Sequence, residues 1–183
     1  MGSLISRLLL KFWGFKIRGD VGNHFPKKVY AVVPHTSNWD FPLGLLVRSA
    51  GKISVNFIAK DSLFLPPFGF VFRCLGGYPV DRSKSTNFVD TMVNFFRQEE
   101  QFAIVIAPEG TRKKVDRLRT GFYHIARQAQ VPIICISFDF GKKEVVFREP
   151  INPEDEEQDF AKIYAFFEGA VGKNPASGFE IKQ

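Results

Sequence analysis

Two cysteines, Cys74 and Cys135, are too few for a disulfide framework. Both lie inside apolar stretches, so buried, unreactive thiols in a reducing, cytoplasmic compartment are expected. No zinc-finger spacing or other clear ligand cluster occurs, which argues against a metal centre. No run approaches the ~18 apolar residues that a membrane-spanning helix requires. The first apolar stretch lacks the small-residue cleavage site of a signal peptide. Repeats, low-complexity tracts and long linkers are also missing, so 183 residues read as one domain.

What is present is apolar and basic. Forty-five per cent of the residues are hydrophobic, enough for a packed core, and 21 of them are Phe against 4 Tyr and 2 Trp. The run from Leu63 to Phe72 combines four Phe with Pro66 and Pro67, too proline-rich for an ordinary helix or strand. It reads either as a buried connection or as a surface for hydrocarbon. The net charge of +6 favours anionic partners. With no zinc finger and no aromatic pattern of an RNA-binding sheet, nucleic acid ranks below phosphorylated small molecules and acidic lipid.

Residues 1–20 form an N-terminal segment of their own character. Leu4, Ile5, Leu8, Leu9, Phe12 and Trp13 recur at helical spacing, with Arg7, Lys11, Lys16 and Arg18 among or after them. This pattern fits an amphipathic helix lying on an anionic membrane surface, or one packed on the protein's own core. Met1, Gly2 and Ser6 also match an acylation pattern that a chance sequence can produce.

Over 21–183, apolar segments of strand length alternate with helical periods. Strands are expected at Tyr30–Val33, Ile53–Ala59, Tyr78–Val80, Phe102–Ala107, Pro132–Phe138 and Val145–Phe147. Helices are expected at Pro42–Ser49, Thr86–Glu100, Arg117–Gln130 and Phe160–Val171, the last behind an acidic cap. The strands lack two-residue alternation. A single α/β domain follows, with a largely parallel sheet covered by helices on both faces.

Three strand ends carry polar clusters: His35 to Asp40, Asp81-Arg82, and Glu109-Gly110-Thr111-Arg112. Ligands and chemistry in such folds gather at strand ends. His35 and Asp40 are five positions apart, roughly 140° on a continuous helix, so they meet only if the chain turns between them. Pro34, Ser37 and Asn38 favour that turn. A carboxylate on one imidazole nitrogen would leave the other free as a base. Gly110 permits close backbone approach, and the Arg82 and Arg112 guanidinium groups suit phosphate. Lys113, Lys114, Arg117 and Arg119 keep the neighbourhood basic.

In four ordered blocks the sequence resembles the glycerolipid acyltransferases, whose familiar members make phosphatidate from lysophosphatidate. His35-Thr36-Ser37-Asn38-Trp39-Asp40 resembles the family's His-x4-Asp block. Gly76 to Arg82 resembles a Gly-to-Arg block, Pro108 to Arg112 the Pro-Glu-Gly-Thr-Arg block, and Val131 to Ile134 the fourth. The likeness runs from about Tyr30 to Ser137. It implies His35 as general base and Asp40 as its orienting acid, with Arg82, Glu109, Gly110, Thr111 and Arg112 binding the acceptor. It also implies an acyl thioester donor (acyl-CoA or acyl carrier protein), a lysophospholipid acceptor, peripheral membrane association, and no metal or cofactor. Pro34, Pro79 and Cys135 depart from the family's usual residues, so the reaction type is better supported than lysophosphatidate itself. The same chemistry on a lyso-aminolipid or other lysolipid stays open. So do a non-catalytic module for anionic lipid and a metal-dependent phosphoesterase.

Overall fold

The strand that organises the molecule is a nearly unbroken apolar run, Lys-Lys-Val-Tyr-Ala-Val-Val, in the middle of the sheet. The structure is a computed structural model and describes residues 2–67, 69–80 and 88–179. Its elements are α1 (Gly2–Trp13), β1 (Lys16–Arg18), β2 (Lys27–Val33), α2 (Asp40–Ala50) and β3 (Asn56–Lys60). After a 3-10 turn at Asp61–Phe64 come α3 (Gly69–Cys74), β4 (Gly77–Val80), α4 (Phe88–Gln98) and β5 (Phe102–Ile106). α5 (Gly121–Ala129), β6 (Ile133–Asp139), β7 (Glu144–Phe147) and α6 (Glu156–Phe167) complete the order.

The seven strands lie in the order β1-β7-β6-β2-β5-β3-β4. β6, β2, β5, β3 and β4 run parallel, while β7 is antiparallel to β6 and carries β1 beside it. A strand buried on both sides needs apolar residues at every position. In β2, Val29, Ala31 and Val33 enter a core with residues of α4, α5 and α6, while Tyr30 and Val32 enter a second core with α1 and α2. Helices therefore cover both faces, and the expected α/β architecture is observed.

Several boundaries differ from expectation for local reasons. The backbone before α5 does not coil, because the Arg119 N–H donates to the Pro108 carbonyl (2.8 Å) and ties the chain to the end of β5. α6 starts four residues early: Asp155 caps it by accepting from the Gln158 N–H (3.1 Å), so the acidic residues form its first turn. The proline-rich run is regular in part, as a 3-10 turn followed by α3. Cys135 is buried in β6, its thiol pushed up to about 12 by burial, but Cys74 at the end of α3 is exposed rather than buried. β1 has no apolar run to announce it and forms by pairing with β7.

α1 packs only its Ser6 and Leu10 side inward. Arg7 donates from its guanidinium to the Ala50 carbonyl (3.2 Å), binding α1 to the C-terminal end of α2, where a cation is favoured. Its apolar ridge does not pack on the core: Leu4, Ile5, Leu8 and Leu9 are exposed, and Phe12 is 93% exposed. Among the described residues, no helix is long and apolar enough to cross a membrane.

Candidate active site

β2 and β5 are neighbouring parallel strands, so the loops leaving their C-terminal ends meet. From β2 the chain passes through Pro34 and turns over 35–39 before Asp40 opens α2. The turn is held by the Trp39 N–H donating to Ser37 Oγ (3.2 Å) and the Asp40 N–H donating to the Ser37 carbonyl (3.3 Å). It brings His35 Nδ1 to 3.0 Å from Asp40 Oδ2. The same oxygen accepts the Thr36 N–H at 2.9 Å and the Ser37 N–H at 2.8 Å. Three donors thus fix a carboxylate that is almost wholly buried, while the His35 side chain stays 30% exposed. With Nδ1 engaged, Nε2 is the nitrogen available to a ligand.

The end of β5 supplies the rest. The Ala107 carbonyl accepts the Gly110 N–H (3.1 Å), and Gly110 has φ +65°, where a Cβ would stand 2.4 Å from Arg119 Nε. Glycine is required there by conformation and by the arginine lying across it. Gly110, Thr111 and Arg112 face the same cavity as His35, joined by Lys113 and Arg119. Glu109 does not stand with them. Its carboxylate is 1% exposed and accepts the His35 backbone N–H at 2.6 Å, behind the histidine rather than in front of it. Burial pushes Glu109 up from 4.5 to about 7, partly offset by the His35 N–H. Arg82 lies outside the described residues.

The cavity holds about 1540 Å³, more than the 300–1,000 Å³ common for small-molecule sites. His35, Asn38 and Asp40 stand in its wall beside Phe41, Gly44 and Leu45 of α2 and the cavity-side residues Tyr30, Val32, Ile136, Phe138 and Phe147 of the sheet. These apolar residues are of the types that fill cores, so nothing in the sequence marked them as a lining. Also unforeseen is Thr36, only 2% exposed, with the C-terminal segment that touches it. Among the described residues, no group of three or more His, Cys, Asp and Glu is placed to hold a metal ion. The arrangement can accept a proton from a polar nucleophile while an oily ligand occupies the adjoining cavity.

A parallel α/β sheet with an acid-anchored histidine at its strand ends, opening on an apolar cavity, defines the class. The Acyltransferase family model matches residues 21–139. The chain belongs to the acyltransferase family. It is 25% identical over 138 residues to a 1-acyl-sn-glycerol-3-phosphate acyltransferase of Limnanthes douglasii, covering 73% of this chain and 48% of that protein. Over 120 residues it is 31% identical to the protein of the same name from Saccharomyces cerevisiae, covering 60% and 38%. The chain therefore spans about half or less of the length of these curated relatives. In fold it is similar to the crystal structure of the 1-acyl-sn-glycerophosphate (LPA) acyltransferase PlsC from Thermotoga maritima. The TM-score is 0.58 at 19% identity, covering 90% of this chain and 74% of that one.

Proposed function

We propose that this protein moves a fatty acyl group from an acyl thioester, acyl-CoA or acyl carrier protein, to the free hydroxyl of a lysophospholipid, with lysophosphatidate giving phosphatidate as the leading case. The observation that carries this reading is the His35–Asp40 pair set in the wall of an apolar cavity that also presents Arg112. His35 Nε2 takes the acceptor's hydroxyl proton as its oxygen attacks the thioester carbonyl. The tetrahedral intermediate then expels the thiolate, which recovers the proton from the imidazolium. Asp40 holds the ring in register and stabilises its charged form. Thr111, Arg112 and Lys113 offer donors to the acceptor's phosphate, each charged contact being worth about 1.5–3 kcal/mol. The resemblance adds Arg82 to this set. Glu109 serves as a positioning residue, holding the histidine backbone from behind.

The exposed ridge of α1 supports a peripheral position on an anionic membrane. Trp13 at its end meets Trp39 of the histidine loop with ring centroids 5.8 Å apart, which would bring the cavity close to the lipid that supplies the acceptor.

The test is a panel of lysolipid acceptors assayed with acyl-CoA and with acyl carrier protein, run beside His35→Ala. Base catalysis predicts a loss of ~10²–10⁴ in kcat with vesicle binding retained. Undiminished transfer by His35→Ala would refute it, and lipid binding without transfer by the wild type would favour the non-catalytic module.

A further inference from the structure

The histidine loop is held from behind by a part of the chain that lies beyond residues 21–139, the stretch matched by the family. After α6 the backbone passes through Gly169 and returns to the sheet, the Phe140 N–H donating to the Val171 carbonyl (2.8 Å). At the far end the Val115 N–H donates to the Gly178 carbonyl (2.8 Å), and Phe179 stacks on Tyr164 with centroids 5.3 Å apart. The segment between these anchors crosses Thr36.

Its contacts with Thr36 are specific. The Asn174 backbone N–H donates to Thr36 Oγ1 (3.1 Å) and its side-chain amide donates to the Thr36 carbonyl (2.9 Å). Asn174 is preset for this by a turn, Asn174-Pro175-Ala176-Ser177, closed by the Ser177 N–H on the Asn174 carbonyl (3.0 Å). Glycines flank the grip because nothing larger fits: a Cβ would lie 2.6 Å from Thr36 atoms at Gly172 and 2.8 Å at Gly178. A Cβ at Gly178 would also lie 3.3 Å from Glu109 Oε1. The residue so held is the one whose N–H, with that of Ser37, fixes the Asp40 carboxylate that orients His35.

We infer that residues 170–179 form a clasp that sets the histidine–aspartate pair in register, with Asn174 and Thr36 as its positioning residues. The inference rests on the catalytic reading of His35 given above. Residues 170–179 do not line the cavity, so loosening the clasp is expected to disturb the geometry of the base and to leave ligand affinity alone. Asn174 is exposed, and its side chain can be shortened without opening the core.

The experiment compares steady-state acyl transfer by full-length Asn174→Ala, Thr36→Val, Thr36→Ser and His35→Ala, with a thermal melt of each. Thr36→Val keeps the shape and removes the acceptor oxygen, whereas Thr36→Ser keeps the oxygen. The expected result is a fall in kcat of about tenfold for Asn174→Ala and Thr36→Val with the KM of both substrates within twofold. Thr36→Ser should recover most of the rate. The inference is overturned if His35→Ala is inactive while Asn174→Ala and Thr36→Val keep kcat within twofold of wild type. It is equally overturned if Thr36→Ser loses as much rate as Thr36→Val, since packing alone would then explain the effect. Full activity in His35→Ala would instead overturn the catalytic reading and the clasp with it.

Discussion

The two faces of the sheet are built from the same kinds of residues and end in different states. On the face of α4, α5 and α6, side chains such as Phe96, Ile125, Ile133 and Ile163 are almost wholly buried against one another, while the margin of this face at Phe88, Val89, Leu118 and Phe122 reaches the cavity. On the face of α1 and α2, Tyr30, Val32, Ile136, Phe138 and Phe147 are also buried, yet they border a cavity of about 1540 Å³. Alternate residues of β2 supply both faces, so hydrophobicity does not distinguish them. The difference lies in what covers them. α4, α5 and α6 set Phe and Ile against the sheet, whereas α2 presents Gly44 and leaves space. One face therefore meets the cavity at its margin, and the other lines it along the sheet.

This contrast can be broken by charge, by volume and by solvent exposure. The largest effect is expected from charge, because Glu109 is buried behind the histidine. An unfolded glutamate ionises near 4.5, but this one ionises only near 7. Between those values the native state holds more protons than the unfolded chain, so stability falls as pH rises. The contribution is complete below pH 4.5 and lost as pH rises through 7, on the order of 3 kcal/mol in all. Glu109→Gln should flatten the fall in Tm between pH 5 and pH 8, and an unchanged slope would contradict the buried-carboxylate account. Next comes volume on the packed face. Ala126 in α5 is fully buried, and Ala126→Leu should cost about 1–3 kcal/mol in denaturant unfolding. The smallest effect on the fold is expected on α1, where Phe12→Ser should leave Tm unchanged. Its binding to acidic vesicles, followed by sedimentation, should fall roughly tenfold, as expected for losing one inserted aromatic. Equal sedimentation would remove the α1 ridge as a membrane contact.

How much of this was legible in the sequence depended on distance along the chain. The parallel sheet was legible because doubly buried strands must be apolar throughout, as in β2 and β6. His35 and Asp40 were legible because their turn is local and written in Pro34, Ser37 and Asn38. Glu109 was legible as a member of a polar cluster at a strand end but not in its orientation. A carboxylate at a strand end can face a ligand or the protein, and only the neighbouring loop, 74 residues away, decides. Asn174 gave no signal at all, being one uncharged residue in a glycine-rich stretch 138 positions from its partner. The cavity was hidden because its walls use core residues. α1 was half legible: its periodicity gave the helix, and only the structure shows that the apolar ridge faces outward.

The space under α2 adjoins His35 and is the proposed place of the acyl chain. Gly44 lines that space, and a Cβ there would sit 3.7 Å from the Phe138 ring, an ordinary contact. The most direct measurement is kcat/KM over a series of acyl-CoA chain lengths for wild type and Gly44→Phe, with the melting temperature of each. The predicted result is a preference moved to shorter chains at an unchanged or slightly higher Tm, each methylene excluded costing about 0.8 kcal/mol. A chain-length profile that is the same in both proteins would contradict the account.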